Sequence, residues 1–519
     1  MTTTRHRFRS TREAALHRGG DGYFTWLDHI WPAAGCTHPI RLHGRLRVVD
    51  TRTGELLRSL HTADMPDHVI YKACGNRRHT ACPSCAETYR RDAYHVIRAG
   101  LIGGKGIPET VTTHPAVFAT FTAPSFGPVH TRAITRHTCA DRARCTCRPD
   151  PCRARRDAAT CEHGIPIVCF ARHDPADPRL GQPICHDCYD YACHVVWNNA
   201  AGELWRRTKQ HIERHLAQLA RHRGVPPVWV QDSKGRFRAV SPLRVSHGKA
   251  AEFQARGAVH FHVLLRLDGF DPDDPGAIVP PPREITASDL DDAIHHAADA
   301  ITFTTLPHPI QPDGWPIEWG AQVDVRIVTM RGDNPVTDAM VAGYLAKYST
   351  KSTEATGHTS ARLTTETVTQ HASPQGNHTQ RLIHACWTLG EADGLMFGKT
   401  HGWNSLRLWA HMLGFGGHFL TKARRYSVTF GALRAARIYY QRHQTTGPEH
   451  DTTRITSHGQ DDTILVLGDL RYAGTGWKTT GDALLANTAA DLARRRRQAG
   501  HEELAHEQGL NANAERQAA

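Results

Sequence analysis

Ala251-Glu252-Phe253-Gln254-Ala255-Arg256-Gly257-Ala258-Val259-His260-Phe261-His262-Val263-Leu264-Leu265 is the stretch on which the reading of the fold turns. From Ala258 onward it is apolar, β-branched and aromatic, the composition of a strand. Side chains alternate faces along a strand, so His260 and His262 point the same way, ~7 Å apart at the backbone. Two imidazoles so placed can converge on one metal. A turn at Arg256-Gly257 would bring Glu252 beside them, and Gln254 can approach the same face. Two neutral imidazoles and a carboxylate, with positions left open, suit Mg²⁺ or Mn²⁺ on a phosphate oxygen. In a chain with 37 His, an HxH pair alone is weak evidence, and two solvent-facing histidines are the plain alternative.

Outward from this strand the pattern continues. VFATFTA (117–123), VWVQD (228–232), FRAVSPLRVS (237–246) and AQVDVRIV (321–328) read as strands. Residues 190–223, 286–303 and 336–351 have helical spacing, with Ser288 a plausible cap for the second. The order from 117 to 351, β-(insertion)-α-β-β-β-α-β-α, predicts an α+β fold with a central antiparallel sheet flanked by helices. On the last helix, Tyr344 and Tyr348 form one stripe and Lys347 and Lys351 the adjacent one, because residues four apart share a face. A tyrosine with its ordinary pKa near 10 is a poor nucleophile. A neighbouring cation favours the phenolate, and a lysine offsets charge on a phosphate. YxxxY by itself is most simply a pair of half-buried core tyrosines. His211 and His215, also four apart, read as a solvated helix face.

The cysteines are unevenly spread: of 14, only Cys386 follows Cys193. Closely spaced pairs in a chain of 519 residues point to zinc rather than disulfides. Cys82-Pro83-Ser84-Cys85 is a CxxC knuckle that Cys74, and Cys36 if the chain between folds back as a hairpin, complete to a four-thiolate set, with His79 or His38 able to replace one ligand. Residues 136–193 are rich in Arg, Pro and Cys and too poor in apolar residues to build a core; metal would replace one. There Cys185 and Cys188 form a second knuckle, with Cys161 and Cys169 the expected partners and His163 and His173 close by. Cys139, Cys145, Cys147 and Cys152 offer a weaker third set.

Basic residues number 63 against 51 acidic ones, a formal charge of +12, and all but ten of the basic residues are Arg. A planar guanidinium holds phosphate by a two-pronged fork, although the codon bias of a GC-rich genome would give the same arginine excess; the net charge favours a polyanionic partner, most simply nucleic acid. LTKARRYSVTFGALRAARIYYQRH (420–443) interleaves Lys422, Arg424, Arg425, Arg434 and Arg437 with Tyr426, Phe430 and Tyr439, and residues 400–437 and the zinc modules are the expected DNA-binding regions. No stretch reaches the ~18–20 apolar residues of a membrane span, and the basic N-terminus lacks an apolar h-region, so a cytoplasmic protein without membrane contact is expected. GLIGGKG (100–106) lacks the spacing of a phosphate-binding P-loop, so unwinding would fall to a host helicase.

Together, Glu252, HFH (260–262) and YLAKYSTK (344–351) resemble the motifs of HUH-type endonucleases, specifically the rolling-circle replication initiators of actinobacterial plasmids and integrative elements. CGNRRHTACPSC (74–85), CHDCYDYACHVVWNNAAGELWRR (185–207) and LRLWAHMLGFGGHFLTKARRYSVT (406–429) are similar as well, and the likeness spans residues 30–440. The resemblance implies that His260, His262 and Glu252 bind the catalytic Mg²⁺ or Mn²⁺. It also implies that Tyr348 attacks single-stranded origin DNA, that Tyr344 serves as the second tyrosine at termination, and that Lys351 and Lys347 contact phosphate or phenolate. It further implies duplex and single-stranded origin DNA, a host helicase and a polymerase as partners. Gln254 stands where related initiators carry a histidine.

The expected organisation is a zinc-binding module (1–110), an endonuclease core (111–352) with a Cys-rich zinc insertion (136–193), a helical DNA-binding region (353–480) and a polar tail (481–519). Two competing readings are a conjugative relaxase or transposase of the same class and a zinc-dependent DNA-binding regulator without catalysis. Relaxases resemble a three-histidine pattern near an N-terminal tyrosine, which this order of motifs does not match.

Overall fold

The computed structural model describes residues 8, 10–139, 145–155, 160–328, 338–348, 350, 362–391, 402–445 and 464–518. The helices are α1 (Thr11–Arg18), α2 (Tyr23–Ile30), α3 (Pro83–Ile102), α4 (Tyr191–His222), α5 (Ala287–Ala300), α6 (Asp338–Tyr348), α7 (His378–Leu389), α8 (Asn404–Leu408), α9 (Phe430–Thr445) and α10 (Thr480–Ala518). The strands are β1 (Ile40–Asp50), β2 (Leu56–His61), β3 (Ile70–Lys72), β4 (Ala116–Phe121), β5 (Val228–Gln231), β6 (Phe237–Val240), β7 (Leu243–Phe253), β8 (Val259–Gly269), β9 (Phe303–Thr304), β10 (Pro316–Ile317), β11 (Val323–Ile327), β12 (Leu420–Lys422) and β13 (Ile464–Thr475). The chain is thus mixed α/β, and its strands pair antiparallel. No helix among the described residues is long and apolar enough to cross a membrane.

The compact units do not follow the linear boundaries expected from the sequence. One unit joins residues 1–91 to 431–519; the other is 92–430. The first is discontinuous because β13 pairs with β1 along its whole length, from Ile40↔Thr475 to Asp50↔Ile464. With β2 and β3, also on β1, this makes a four-stranded sheet. Trp26, Ile30, Val69, Tyr71 and Ala486 form its small core. Beside it, Asp67 accepts from Arg18, Trp26 and Tyr71, and Arg18 also reaches Asp482.

The second unit is built on a five-stranded sheet, β11-β4-β8-β7-β12. Val117, Phe121, Phe261, Val263 and Leu265 face α4 and α5, where Trp197, Leu204, Trp205, Ile212 and Ile294 complete the larger core. On the other face Ala250 and Leu264 meet Ile97 and Leu101 of α3 and Val341, Ala342 and Leu345 of α6. Helix α5 starts at a capping box in which Thr286, not Ser288, caps Asp289. The expected strand over 237–246 is two strands, broken at Ser241-Pro242, and the second runs on to Phe253 as β7. That continuation carries Glu252.

Candidate active site

The β7–β8 hairpin closes through Gln254–Gly257. Gln254 N–H donates to Ala258 O (2.9 Å) and Gly257 N–H to Gln254 O (2.8 Å), with Gly257 in the left-handed region at φ 83°. This turn sets Glu252 directly opposite His260 and Ala250 opposite His262. Both imidazoles and the carboxylate therefore stand on the sheet face that also meets α3 and α6. Glu252 Oε2 is 3.2 Å from His260 Nε2 and 3.4 Å from His262 Nε2. The three ligand atoms lie within 4.8 Å of one another and form a group that could hold a metal ion.

The outer nitrogens are occupied, which turns Nε2 of each ring toward Glu252. His262 Nδ1 is 3.1 Å from Thr120 Oγ1 on β4, and His260 Nδ1 is 3.5 Å from Gln254 Nε2. Hydrogen bonds at the far nitrogen fix ring orientation and tautomer. His262 also stacks on Phe118, 6.0 Å between centroids with the planes 6° apart. Gln254 is held in turn by Arg256, whose guanidinium also donates to Pro124 O and Ala123 O. Burial lowers the pKa of Arg256. Sequence reasoning missed Thr120 and Phe118; their positions in VFATFTA mark them only once β4 pairs with β8 and Thr120 lies opposite His262.

Helix α6 brings a phenol to the same place. Tyr344 Oη is 3.3 Å from His262 Nε2, and the two rings meet edge to face at 4.9 Å. Val341, Ala342, Leu345 and Ala346 are buried while Tyr344 remains 38% exposed, so it is not a core tyrosine. Tyr348 is one turn further along α6, but its side chain lies outside the described residues, as does all of Lys351; Lys347 is exposed.

Farther along the same face of β8, Arg266 and Asp268 are completely buried as an ion pair at 2.7 Å, joined by His114 (2.8 Å) and Ser246 (2.6 Å). Burial pushes the Asp268 carboxyl up, but its hydrogen bonds from His114 and Arg266 outweigh that and hold it below its ordinary range. Leu264 separates this structural network from the metal set.

Four Cys/His groups could also hold metal. The first is the expected Cys36, Cys74, Cys82 and Cys85. Hydrogen bonding among these thiols favours a thiolate at Cys82 and a thiol at Cys36. In the Cys-rich insertion the expected grouping is corrected. Cys161, Cys185 and Cys188 gather with His163, whereas Cys169 joins Cys152, His130 and His173. The cause is a backbone bridge: Arg153 and Cys169 exchange hydrogen bonds, which carries Cys152 to Cys169. Cys139, Cys145 and Cys147 take His137 as their fourth member instead of Cys152.

The separations suit zinc. Bonds of about 2.3 Å to sulfur and about 2.0–2.1 Å to nitrogen give tetrahedral edges of roughly 3.8 Å between sulfurs and 3.3–3.4 Å between nitrogens. Cys74–Cys85 and Cys36–Cys82 measure 3.7 and 3.9 Å, and His130–His173 measures 3.2 Å. The sulfur–nitrogen edges lie between 3.2 and 3.8 Å.

The expected DNA-binding residues are spread over both units. Lys422, on edge strand β12, donates its ammonium to Ala423, Arg424 and Ser427 carbonyls, and burial lowers its pKa. Arg425 is half-buried, and Arg424 and Arg434 are exposed. Tyr426, expected as an aromatic face for DNA, is instead buried and donates to Ile97 O. A second basic surface was not anticipated: His43, Arg45 and Arg47 of β1, with His61 and Arg471, line a shallow recess on one face of the four-stranded sheet.

Residues 22–491 match the family model described as RepSA, replication initiator protein, pSAM2. The chain is 41% identical over 476 residues to the replication initiator protein of Streptomyces ambofaciens, covering 90% of each. No solved structure matches it.

Proposed function

The chain belongs to the RepSA family of replication initiator proteins, and from that premise we propose that it initiates rolling-circle replication as an HUH-type, metal-dependent endonuclease and strand transferase. The observation that carries this reading is one carboxylate oxygen at 3.2 and 3.4 Å from two imidazole nitrogens, with a phenol 3.3 Å from one of them.

Glu252, His260 and His262 would hold Mg²⁺ or Mn²⁺, which when bound polarises the scissile phosphate. Thr120 and Gln254 keep the two rings oriented. Tyr348 is the nucleophile: its phenol loses its proton, the oxygen bonds to phosphorus, and the P–O3′ bond breaks. The leaving oxygen takes a proton and becomes the 3′-OH that a polymerase extends, while the 5′-phosphate stays on the tyrosine. Tyr344, one helical turn earlier and beside His262, cleaves the regenerated origin and ends the round by strand transfer. Lys351 and Lys347 offset charge on phosphate or phenolate. The Cys/His groups hold structural Zn²⁺. Arg424, Arg425, Arg434 and Lys422 contribute to DNA binding. The protein works in the cytoplasm, where a host helicase unwinds the origin.

The test is incubation with labelled single-stranded origin DNA, with and without Mn²⁺ or Mg²⁺. A covalent adduct that Tyr348→Phe abolishes supports the reading. Duplex binding with no adduct under either metal sinks it and leaves a zinc-dependent regulator. If Tyr348→Phe keeps the adduct and Tyr344→Phe loses it, the two tyrosines exchange roles.

A further inference from the structure

We propose that His130, Cys152, Cys169 and His173 form a zinc centre of their own, and that this centre braces the turn of the β7–β8 hairpin.

The ligand set is complete and ordered from outside. His130 Nδ1 and His173 Nε2 are 3.2 Å apart, Cys152 Sγ is 3.8 Å from His130, and Cys169 Sγ is 3.5 Å from His173. His173 is buried, and its other nitrogen, Nδ1, is 2.7 Å from Asp177 Oδ2. A carboxylate on the far nitrogen of a ligating histidine fixes the ring and raises its basicity. Two thiolates and two neutral imidazoles make a charge-neutral Zn²⁺ site, which half-buried surroundings tolerate best.

The brace is a short chain of contacts. The segment after His173 returns to His130: Gly181 N–H donates to His130 O, and His130 N–H to Gln182 O, both at 2.9 Å. Gly181 then lies against the hairpin turn. A Cβ built on it would fall 2.3 Å from Ala255 C and 2.5 Å from Arg256 N, and its φ is 81°. Only glycine fits between the two backbones. Arg256 holds Gln254 at 2.9 Å, and Gln254 reaches His260. The metal thus fixes His130 and His173, these fix Gly181, and Gly181 limits where the turn carrying Gln254 can go. The zinc centre stands on its own geometry; its bearing on catalysis rests on the reading of Glu252, His260 and His262 given above.

The experiment uses the full chain. Zinc is counted by inductively coupled plasma mass spectrometry, and hydrogen exchange is followed in peptides covering 251–262. The wild type should carry four Zn²⁺. Cys169→Ala should lose one Zn²⁺ and speed exchange across the turn about tenfold or more. His173→Cys in the otherwise unchanged chain, a ligand for a ligand, should keep all four Zn²⁺. Gly181→Ala should keep four Zn²⁺ and still speed exchange in the turn, which guards against a Cys169→Ala protein that fails to fold. Mn²⁺ affinity, read by electron paramagnetic resonance, should weaken in Cys169→Ala and Gly181→Ala alike. An unchanged zinc count in Cys169→Ala overturns the centre. Turn exchange unchanged in both Cys169→Ala and Gly181→Ala overturns the brace. A wild type that binds no Mn²⁺ strikes the catalytic reading instead and leaves the zinc count and turn exchange to decide this proposal.

Discussion

The two large sheets are both antiparallel and differ in what covers them. In the sheet centred on β8, helices lie on both faces, and every residue of β8 but His260 is buried. In the sheet centred on β1, His43, Arg45 and Arg47 alternate outward into solvent. A polar side chain inside the first is costly without a partner, and on β8 the polar residues of the face toward α3 and α6 fall into two groups: a balanced ion network at Arg266 and Asp268 and, with Glu252 of β7, the His260–His262 set. A cationic side chain on the second meets neither constraint, and charge can spread there as a field without convergence on a point. Buried chemistry is concentrated, and exposed chemistry is distributed.

That contrast can be broken at its strongest point first. Glu252→Gln should lower Mn²⁺-dependent cleavage of single-stranded DNA by about 10²–10³-fold, the scale for a preorganised group at developing charge. A rate near wild type in a gel cleavage assay would make the set structural. Next, Gly44→Ala should destabilise the exposed sheet by about 3 kcal/mol or more, because a Cβ there would lie 1.8 Å from Asp469 O. Denaturant unfolding monitored at Trp26 and Trp477 would read this, and an unchanged midpoint would show that β1 and β13 can shift apart at no cost.

Lys249 tests the covered sheet more gently. It is buried over the Phe261 ring at 3.6 Å, and burial pushes its pKa down to about 7. Because the folded value lies below the ordinary 10.5, the unfolded chain binds more protons between about pH 7 and 10.5, and stability should rise with pH across that window. Lys249→Met should therefore raise the melting temperature by several degrees at pH 7 and by less at pH 10. A gain that does not shrink with pH would mean that Lys249 keeps its charge in the folded state and is better solvated than its burial implies. The smallest effect belongs to the exposed sheet. Arg45→Ala with Arg47→Ala should lower the salt slope of duplex binding by about 2, with cleavage of saturating single-stranded DNA unchanged. A slope that does not move would remove this face from the DNA path.

Much of the covered sheet was legible because its signals are local. Alternation placed His260 and His262 on one face, and the Arg256-Gly257 turn returned Glu252 to them. Partners distant in sequence were not legible. Thr120 reaches His262 only because β4 pairs with β8, and His114 reaches Asp268 across 154 residues. The Cys/His groups divide differently from expectation for a related reason: the knuckle at Cys185 and Cys188 is local, but a hydrogen-bonded bridge at Arg153 and Cys169 decides which group takes Cys169. The exposed sheet was not read from the sequence: IRLHGRLRVV (40–49) alternates basic with apolar residues over one short stretch, and its neighbour β13 lies about 400 residues further on.

That last pairing has a consequence for biosynthesis. Strand β1 leaves the ribosome early, yet its full-length partner is translated about 400 residues later. At roughly 5–20 residues per second, β1 waits on the order of 20–80 s with one edge open, while the whole of residues 92–430 emerges and folds. A message cut short before residue 464 would carry all the strands of the covered sheet, with Glu252, His260 and His262, but not the completed basic one. The order of synthesis therefore makes the exposed sheet a record of whether the chain was finished.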